Sequence, residues 1–257
     1  MSDSEFVLGN PFDNLRAKIG WAYKHLKEFD SLVVEYCRSE PYTVMKHDDL
    51  VNQCHIVRCE FHLIKMDIML SLSDAVYALR SGLDQLAWQL ALLGNSNPSS
   101  DVMFPIHSDQ SIGADKRFRK LVRDMPVDAI EVIKDLQPYK RGATYRDDPL
   151  WQLNELSNID KHRLPVGRAN IANVYAEPRG WTRHDLDYGV EFSWPLSVKN
   201  SVVFKPNLPT LVFGDPFNSP KPVPLELGRE EIAKIYNFVR MEVAPRFTRF
   251  FSAPPYP

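Results

Sequence analysis

Long apolar runs are missing from this sequence. No stretch of about 18 apolar residues occurs, so no transmembrane helix is expected. The leading MSDSEFVLGN is acidic and has neither a basic region nor an apolar core, so no signal peptide is expected either. Cysteine is scarce: Cys37, Cys54 and Cys59 are the only three among 257 residues. An odd, low count supports no disulfide framework and fits a reducing compartment. The formal charge of −2 at pH 7 excludes a global field that recruits nucleic acid or an acidic membrane, and leaves room for a local basic patch. There is no glycine-rich phosphate loop, no nucleophile elbow and no Cys–His pair at catalytic spacing. No internal repeat or low-complexity tract is visible. These absences lead to the expectation of a cytoplasmic protein with no membrane association and no cofactor.

What is present is ordinary globular material, 44% hydrophobic and 25% charged. A chain of this size can remove roughly 70–75% of its unfolded surface from water. Asn10 and Pro11 read as the cap and first position of a helix. Leu15, Ile19, Ala22, Leu26, Phe29, Val33 and Tyr36 then alternate in steps of four and three, one helical stripe. From Asp49 to Leu93 there is no proline and only one glycine, Gly82, and the same spacing runs from Cys54 to Leu90. That predicts a second helix, antiparallel to the first and about 65 Å long, with a bend or break near Ser71–Ser73. DVMFPI reads as a short extended segment. Asp115 to Arg123 and Pro126 to Leu136 read as short helices, and Pro149 opens another. After Pro165 the texture becomes aromatic and β-branched, with strands expected at 168–176, 189–194, 200–205 and 209–213. Residues 226–243 read as a final amphipathic helix.

The expected class is α+β, mostly α, in a single domain spanning 1–257. A long antiparallel helical hairpin lies in a helical bundle at 10–164, a small antiparallel sheet is inserted at 165–215, and the 226–243 helix packs back.

Chemistry gathers in LNELSNIDKHRLPV, residues 153–166. At about 100° per residue, Leu150, Leu153, Leu156, Ile159 and Leu164 share one half of a helix. Asp160 and Arg163 fall inside that apolar half, while Trp151, Asn154, Asn158, Lys161 and His162 face the other way. Charges turned toward a core need partners. Asp160 and Arg163 can pair with each other, and ALRSGLDQLAWQLA on the long helix offers Arg80 and Asp84 one turn apart. The alternative is that Arg80–Asp84 is a solvated pair worth about 0.3–0.5 kcal/mol. On the outward side, His162 can move a proton near neutral pH and Asn158 can hold a ligand. Lys161, Arg163 and Arg168 can stabilise negative charge. Those parts suit a metal-independent ribonuclease, with His162, Asn158 and Arg163 catalytic and Arg80, Asp84, Asp160 and Lys161 structural or substrate-positioning. The plainer reading is a hydrogen-bonded helix surface.

Two stretches, ALRSGLDQLAWQLA and DPLWQLNELSNIDKHRLPV, with FPI at 104–106 and LQPY at 136–139 between them, resemble a widespread family of uncharacterised bacterial and phage proteins. That family implies no activity. A more distant resemblance is to HEPN domains, helical bundles that include many RNA-cleaving toxins and defence proteins. Their motif is an arginine, often followed by a polar residue, then a histidine four to six positions after the arginine. Asn158 matches the polar position and His162 the histidine, while Ser157 stands at the arginine position. The resemblance implies an RNA-directed protein, a homodimer, and an antitoxin or defence partner. Two other readings stand beside it: a non-enzymatic scaffold knitted by Arg80, Asp84, Asp160 and Arg163, and a small-ligand binding protein.

Two further clusters bear on partners. His47, Cys54, His55, Cys59 and His62 suggest zinc, but their spacing fits no standard four-ligand set, and no metal site is assigned. KRFRKLVRD, beginning at Lys116, is the densest basic segment; it reads as a solvated helix face or as a phosphate-contacting patch.

Overall fold

The structure is a computed structural model. It describes residues 12–62, 64–162, 173–175, 180–186, 189–198, 203–205, 211–213, 225–227 and 229–251, without the side chains of the four three-residue strands or of 61, 160–162 and 185. In chain order the elements are α1 (Asp13–Arg38), β1 (Tyr42–Asp49), β2 (Cys54–Phe61), α2 (Met66–Gly94), α3 (Ile112–Val122), α4 (Val127–Asp135) and α5 (Pro149–His162). There follow β3 (Asn173–Tyr175), β4 (Thr182–Leu186), β5 (Gly189–Pro195), β6 (Val203–Lys205), β7 (Leu211–Phe213), β8 (Leu225–Leu227), α6 (Arg229–Phe238) and α7 (Ala244–Phe247). The class is α+β and mostly helical, with a small four-stranded antiparallel sheet. No helix among the described residues is long and apolar enough to cross a membrane. Asn10 and Pro11, the expected start of the first helix, lie outside the described residues.

Contacts group the chain into two compact units. The first comprises Met1–Lys27, Leu72–Arg163 and Glu230–Pro257. Here the early turns of α1 run antiparallel to α2: Lys18 Nζ lies 5.6 Å from the centre of the Tyr77 ring, and His25 Nδ1 lies 3.9 Å from an Asp74 oxygen. Leu15, Ile19 and Ala22 of the α1 stripe are buried, as are Leu72, Leu79, Leu83, Leu86 and Leu90 of α2. Gly82 permits the close approach. A Cβ there would sit 3.0 Å from Lys18 Cβ and 3.3 Å from Leu15 Cδ1. Helices α3 and α4 add Phe118, Leu121, Ala129 and Ile133 to the core, and α5 adds Leu150, Leu153 and Leu156.

The second unit comprises Glu28–Ser71 and Leu164–Arg229. Its sheet has the order β1-β2-β5-β4. Val57 and Cys59 of β2 stand opposite Phe192 and Val190 of β5, and with Trp194 they form a buried cluster. Burial pushes the Cys59 thiol up to about 11, so it stays protonated and inert. On the opposite face Arg58 donates from Nε and Nη2 to Glu191 Oε2, at 2.9 and 2.7 Å.

The long second helix therefore needs correction. Residues 42–61 form a β-hairpin and α2 begins only at Met66, so the interruption lies before Ser71–Ser73, and α2 itself is a 29-residue helix. The pattern from Cys54 to Phe61 satisfied two periods at once: Cys54, Val57 and Phe61 suit a helix, while buried Val57 and Cys59 alternate as a strand. Turn chemistry decided it. Asp49 Oδ1 accepts the N–H groups of Val51 and Asn52 at 3.0 Å each, and Gln53 takes a left-handed φ of 53°. One of the four sheet strands, β2, thus comes from a segment expected to be helical, and β1 from the connection expected before it. Of the expected strands, 189–194 matches β5, and the other three contain β3, β6 and β7 as short pieces, while β4 and β8 were not anticipated.

Candidate functional site

Helix α5 is started by Asp148. Its Oδ1 accepts the Leu150 N–H at 2.9 Å, its carbonyl accepts that of Gln152 at 3.0 Å, and Arg141 Nε donates to its second oxygen at 3.2 Å. Pro149 then takes the first helical position, where a missing N–H is harmless. The four-residue spacing of Asn154 and Asn158 puts both on the flank of the buried stripe, with buried Ser157 beside them.

Helix α2 brings Arg80 to the same place. Arg80 is only 8% exposed. Its Nη2 donates to Asp84 Oδ1 at 2.9 Å and to the Phe104 carbonyl at 2.8 Å, and the Phe104 N–H donates to the same Asp84 oxygen at 3.1 Å. The pair is therefore a half-buried brace, with Arg80 enclosed and Asp84 partly open to solvent. Nη1 of Arg80 is enclosed and has no hydrogen-bond partner among the described residues. Burial lowers the arginine's pKa, with Asp84 opposing, and a guanidinium remains charged in a protein all the same.

A cleft of about 340 Å³ opens here, lined by Arg80 and Asp84, the segment Met103–Asp109, Arg117 and Leu121 of α3, and Asn154, Ser157 and Asn158 of α5. The Met103–Asp109 wall is fixed by buried Gln137. Gln137 Nε2 donates to the carbonyls of Pro105 and Ile133 at 2.9 and 3.0 Å, and its Oε1 accepts the His107 N–H at 2.9 Å. FPI and LQPY are thus partners in space. The His107 pKa is lowered by burial and by Arg117, against the pull of Asp109, which keeps its imidazole neutral at neutral pH.

Sequence reasoning set Asn158 on the face of α5 turned away from Arg80 and Asp84, whereas the cleft brings all three together. The side chains of Asp160, Lys161 and His162, and all of Arg163 and Arg168, lie outside the described residues, so the expected contact of Asp160 and Arg163 with Arg80 or Asp84 lies there too. His107, Arg117 and Asn154 were not anticipated. The available signal was a histidine directly after FPI and an arginine inside the basic segment. That segment divides. Arg119 pairs with Asp115 at 2.6 Å, Lys120 with Asp101 at 3.1 Å and Arg123 with Asp124 at 3.7 Å, while Arg117 turns to the cleft.

The histidine–cysteine cluster is spread along the hairpin. His55 Nδ1 lies 2.6 Å from Asp48, Cys59 is in the sheet core, and among the described residues no three potential ligands converge on a metal. Comparison with protein-family models, with curated proteins and with solved structures gives no match.

Proposed function

We propose that this cleft holds a phosphodiester of RNA, and that the protein is an RNA-directed, HEPN-like protein of the cytoplasm with metal-independent ribonuclease chemistry. The observation that carries the reading is the position of Arg80. Ser157 occupies the place where the resembled motif has arginine, and Arg80 lines the cleft beside Ser157 and Asn158 with two donor hydrogens that meet no acceptor among the described residues. An enclosed donor without an acceptor costs about 1–3 kcal/mol, a cost that an anionic ligand would offset. Arg117 adds a second cation.

In this reading the 2′-hydroxyl of RNA attacks the adjacent phosphorus and the bond to the 5′ oxygen breaks, giving a 2′,3′-cyclic phosphate and a 5′-hydroxyl. Neutral His107 accepts the 2′-hydroxyl proton, and His162, one turn after Asn158 on α5, gives a proton to the leaving oxygen. Arg80 and Asn158, with Arg163, hold the phosphate oxygens. A homodimer and an antitoxin or defence partner belong to the same proposal. The test is cleavage of single-stranded RNA in chelator. Wild type should cleave, and His162→Ala should lose about 10²–10⁴ in rate with its helical signal intact. No cleavage by the wild-type protein across several RNAs, or cleavage abolished by EDTA, overturns the chemistry.

A scaffold role is the second reading, favoured by the Arg80–Asp84–Phe104 hydrogen bonds. It requires that Arg80→Met alter stability alone.

A further inference from the structure

A second groove lies in the first unit, between α1 and the chain's last helical segment. Its volume is about 580 Å³, larger than that of the Arg80 cleft. Aromatic rings wall it. Phe12, buried and stacked on Phe251, and Tyr23, exposed, stand on the α1 side and buried Tyr236 on the other, with the two tyrosine rings 5.8 Å apart and tilted by 32°, so Tyr23 is the ring that offers a face to a ligand. Tyr23 is 46% exposed, so part of its ring stays in water despite the neighbouring Tyr236 ring. Gly20 keeps the floor open, since a Cβ there would meet nothing within 4 Å.

The rim is cationic. Arg16 and Arg240 both line the groove. Arg16 has Asp13 at 3.2 Å, whereas Arg240, and Arg246 and Arg249 further along the same segment, have no carboxylate partner among the described residues. Glu242 is the one acidic side chain between Arg240 and Arg249. Lys27 Nζ sits 5.4 Å from the Tyr23 ring centre. Of these arginines Arg16 and Arg240 line the groove, and Arg240, with no carboxylate partner among the described residues, makes that rim locally electropositive in a chain with a net charge of −2. The segment also carries a wide turn at Val239–Val243, where the Ala244 N–H reaches back five residues to the Val239 carbonyl. Such turns reset the face a helix presents and concentrate at functional sites.

Aromatic faces set among arginines are the elements that take single-stranded nucleic acid: bases stack on rings of any sequence, and cations follow the backbone. A protein partner with an apolar surface would leave Arg16 and Arg240 facing desolvation without a countercharge. We infer that the Tyr23–Tyr236–Arg240 groove binds single-stranded RNA by stacking and phosphate contact, a docking site distinct from the Arg80 cleft. The inference rests on the RNA-directed reading and gives it a means of holding substrate beyond the scissile phosphate.

The experiment is fluorescence anisotropy of the full-length protein with a short labelled 2′-O-methyl oligouridylate, which cannot be cleaved. Tyr23 and Arg240 are exposed, so their alanine variants keep the fold, as circular dichroism checks. Tyr23→Ala should weaken binding about 5- to 100-fold, the range for one lost stacking contact. Arg240→Ala should lower the slope of log affinity against log salt by about 0.7, the loss of one phosphate contact on a single strand. If wild type binds and both variants bind equally well, the groove is not the RNA site, while the cleft reading stands on its cleavage assay. Groove-dependent binding with no cleavage leaves the groove intact and overturns the ribonuclease. No binding by wild type sinks the groove and the RNA-directed reading together.

Discussion

Arg80 and Asp84 grip opposite ends of one residue: the guanidinium donates to the Phe104 carbonyl at 2.8 Å, and the carboxylate accepts the Phe104 N–H at 3.1 Å. One helical turn on α2 thus fixes an irregular segment that forms a cleft wall. Asp84→Ala should cost about 1.5–3 kcal/mol in urea denaturation, because a charged hydrogen-bond acceptor disappears and Arg80 is left in the interior. Asp84→Asn keeps an acceptor for the Phe104 N–H and should lose less. Equal stability of Asp84→Ala and wild type would mean that Phe104 is held by packing alone.

Gly82 sets helix spacing in the first unit. Replacing a helical glycine ordinarily gains up to about 1 kcal/mol of propensity. At this position a side chain meets Lys18 Cβ and Leu15 Cδ1, so Gly82→Leu should instead lose about 1–3 kcal/mol from overpacking. Thermal denaturation decides the sign, and a raised Tm would show that α1 and α2 can separate at little cost.

Asp148 is buried and starts α5. Asp148→Ala should lower stability by about 1–2 kcal/mol through the lost cap, more than Asp148→Asn. Amide exchange at Leu150 and Gln152 should rise first. Unchanged exchange there would move the start of α5 away from Asp148.

His107 makes stability depend on pH. Its pKa in the folded protein is held below 6.5 by burial and Arg117, with Asp109 opposing. Below pH 6.5 the unfolded chain binds a proton that the native imidazole refuses, so stability is fully present above that value and falls as the medium acidifies toward the native pKa. Melting temperature should therefore drop between about pH 7 and 5, and His107→Gln should flatten the drop. Parallel profiles for the two proteins would assign the acid sensitivity elsewhere.

The helices and the Arg80–Asp84 pair were legible because each rests on local spacing: a four-residue interval puts two side chains on one helical face whatever the rest of the chain does. Asn158 was legible as a candidate from its spacing to His162, but not as a neighbour of Arg80, because the wheel alone put it on the outward face. The hairpin was not, since Cys54–Phe61 fits both periods and the choice depended on an aspartate turn and on partners in β5, remote in sequence. His107 was illegible as a site residue because it reaches the cleft through Gln137, which joins FPI to LQPY by hydrogen bonds that leave no periodicity, and Arg117 because nothing in its basic segment sets it apart from Arg119, Lys120 and Arg123.

The register of β2 on β5 also governs how the chain is made. Arg58 and Glu191 are 133 residues apart. At a synthesis rate of about 5–20 residues per second, roughly 7 to 27 s separate the appearance of the two strands. Throughout that interval the Tyr42–Phe61 hairpin leaves the ribosome with β2 lacking its second neighbour, and Val57 and Cys59 have no Phe192 or Val190 to cover them. A bare edge with an apolar face is a template for pairing with another nascent copy. The sheet is thus completed only when the later chain arrives, and the waiting hairpin is its exposed stage.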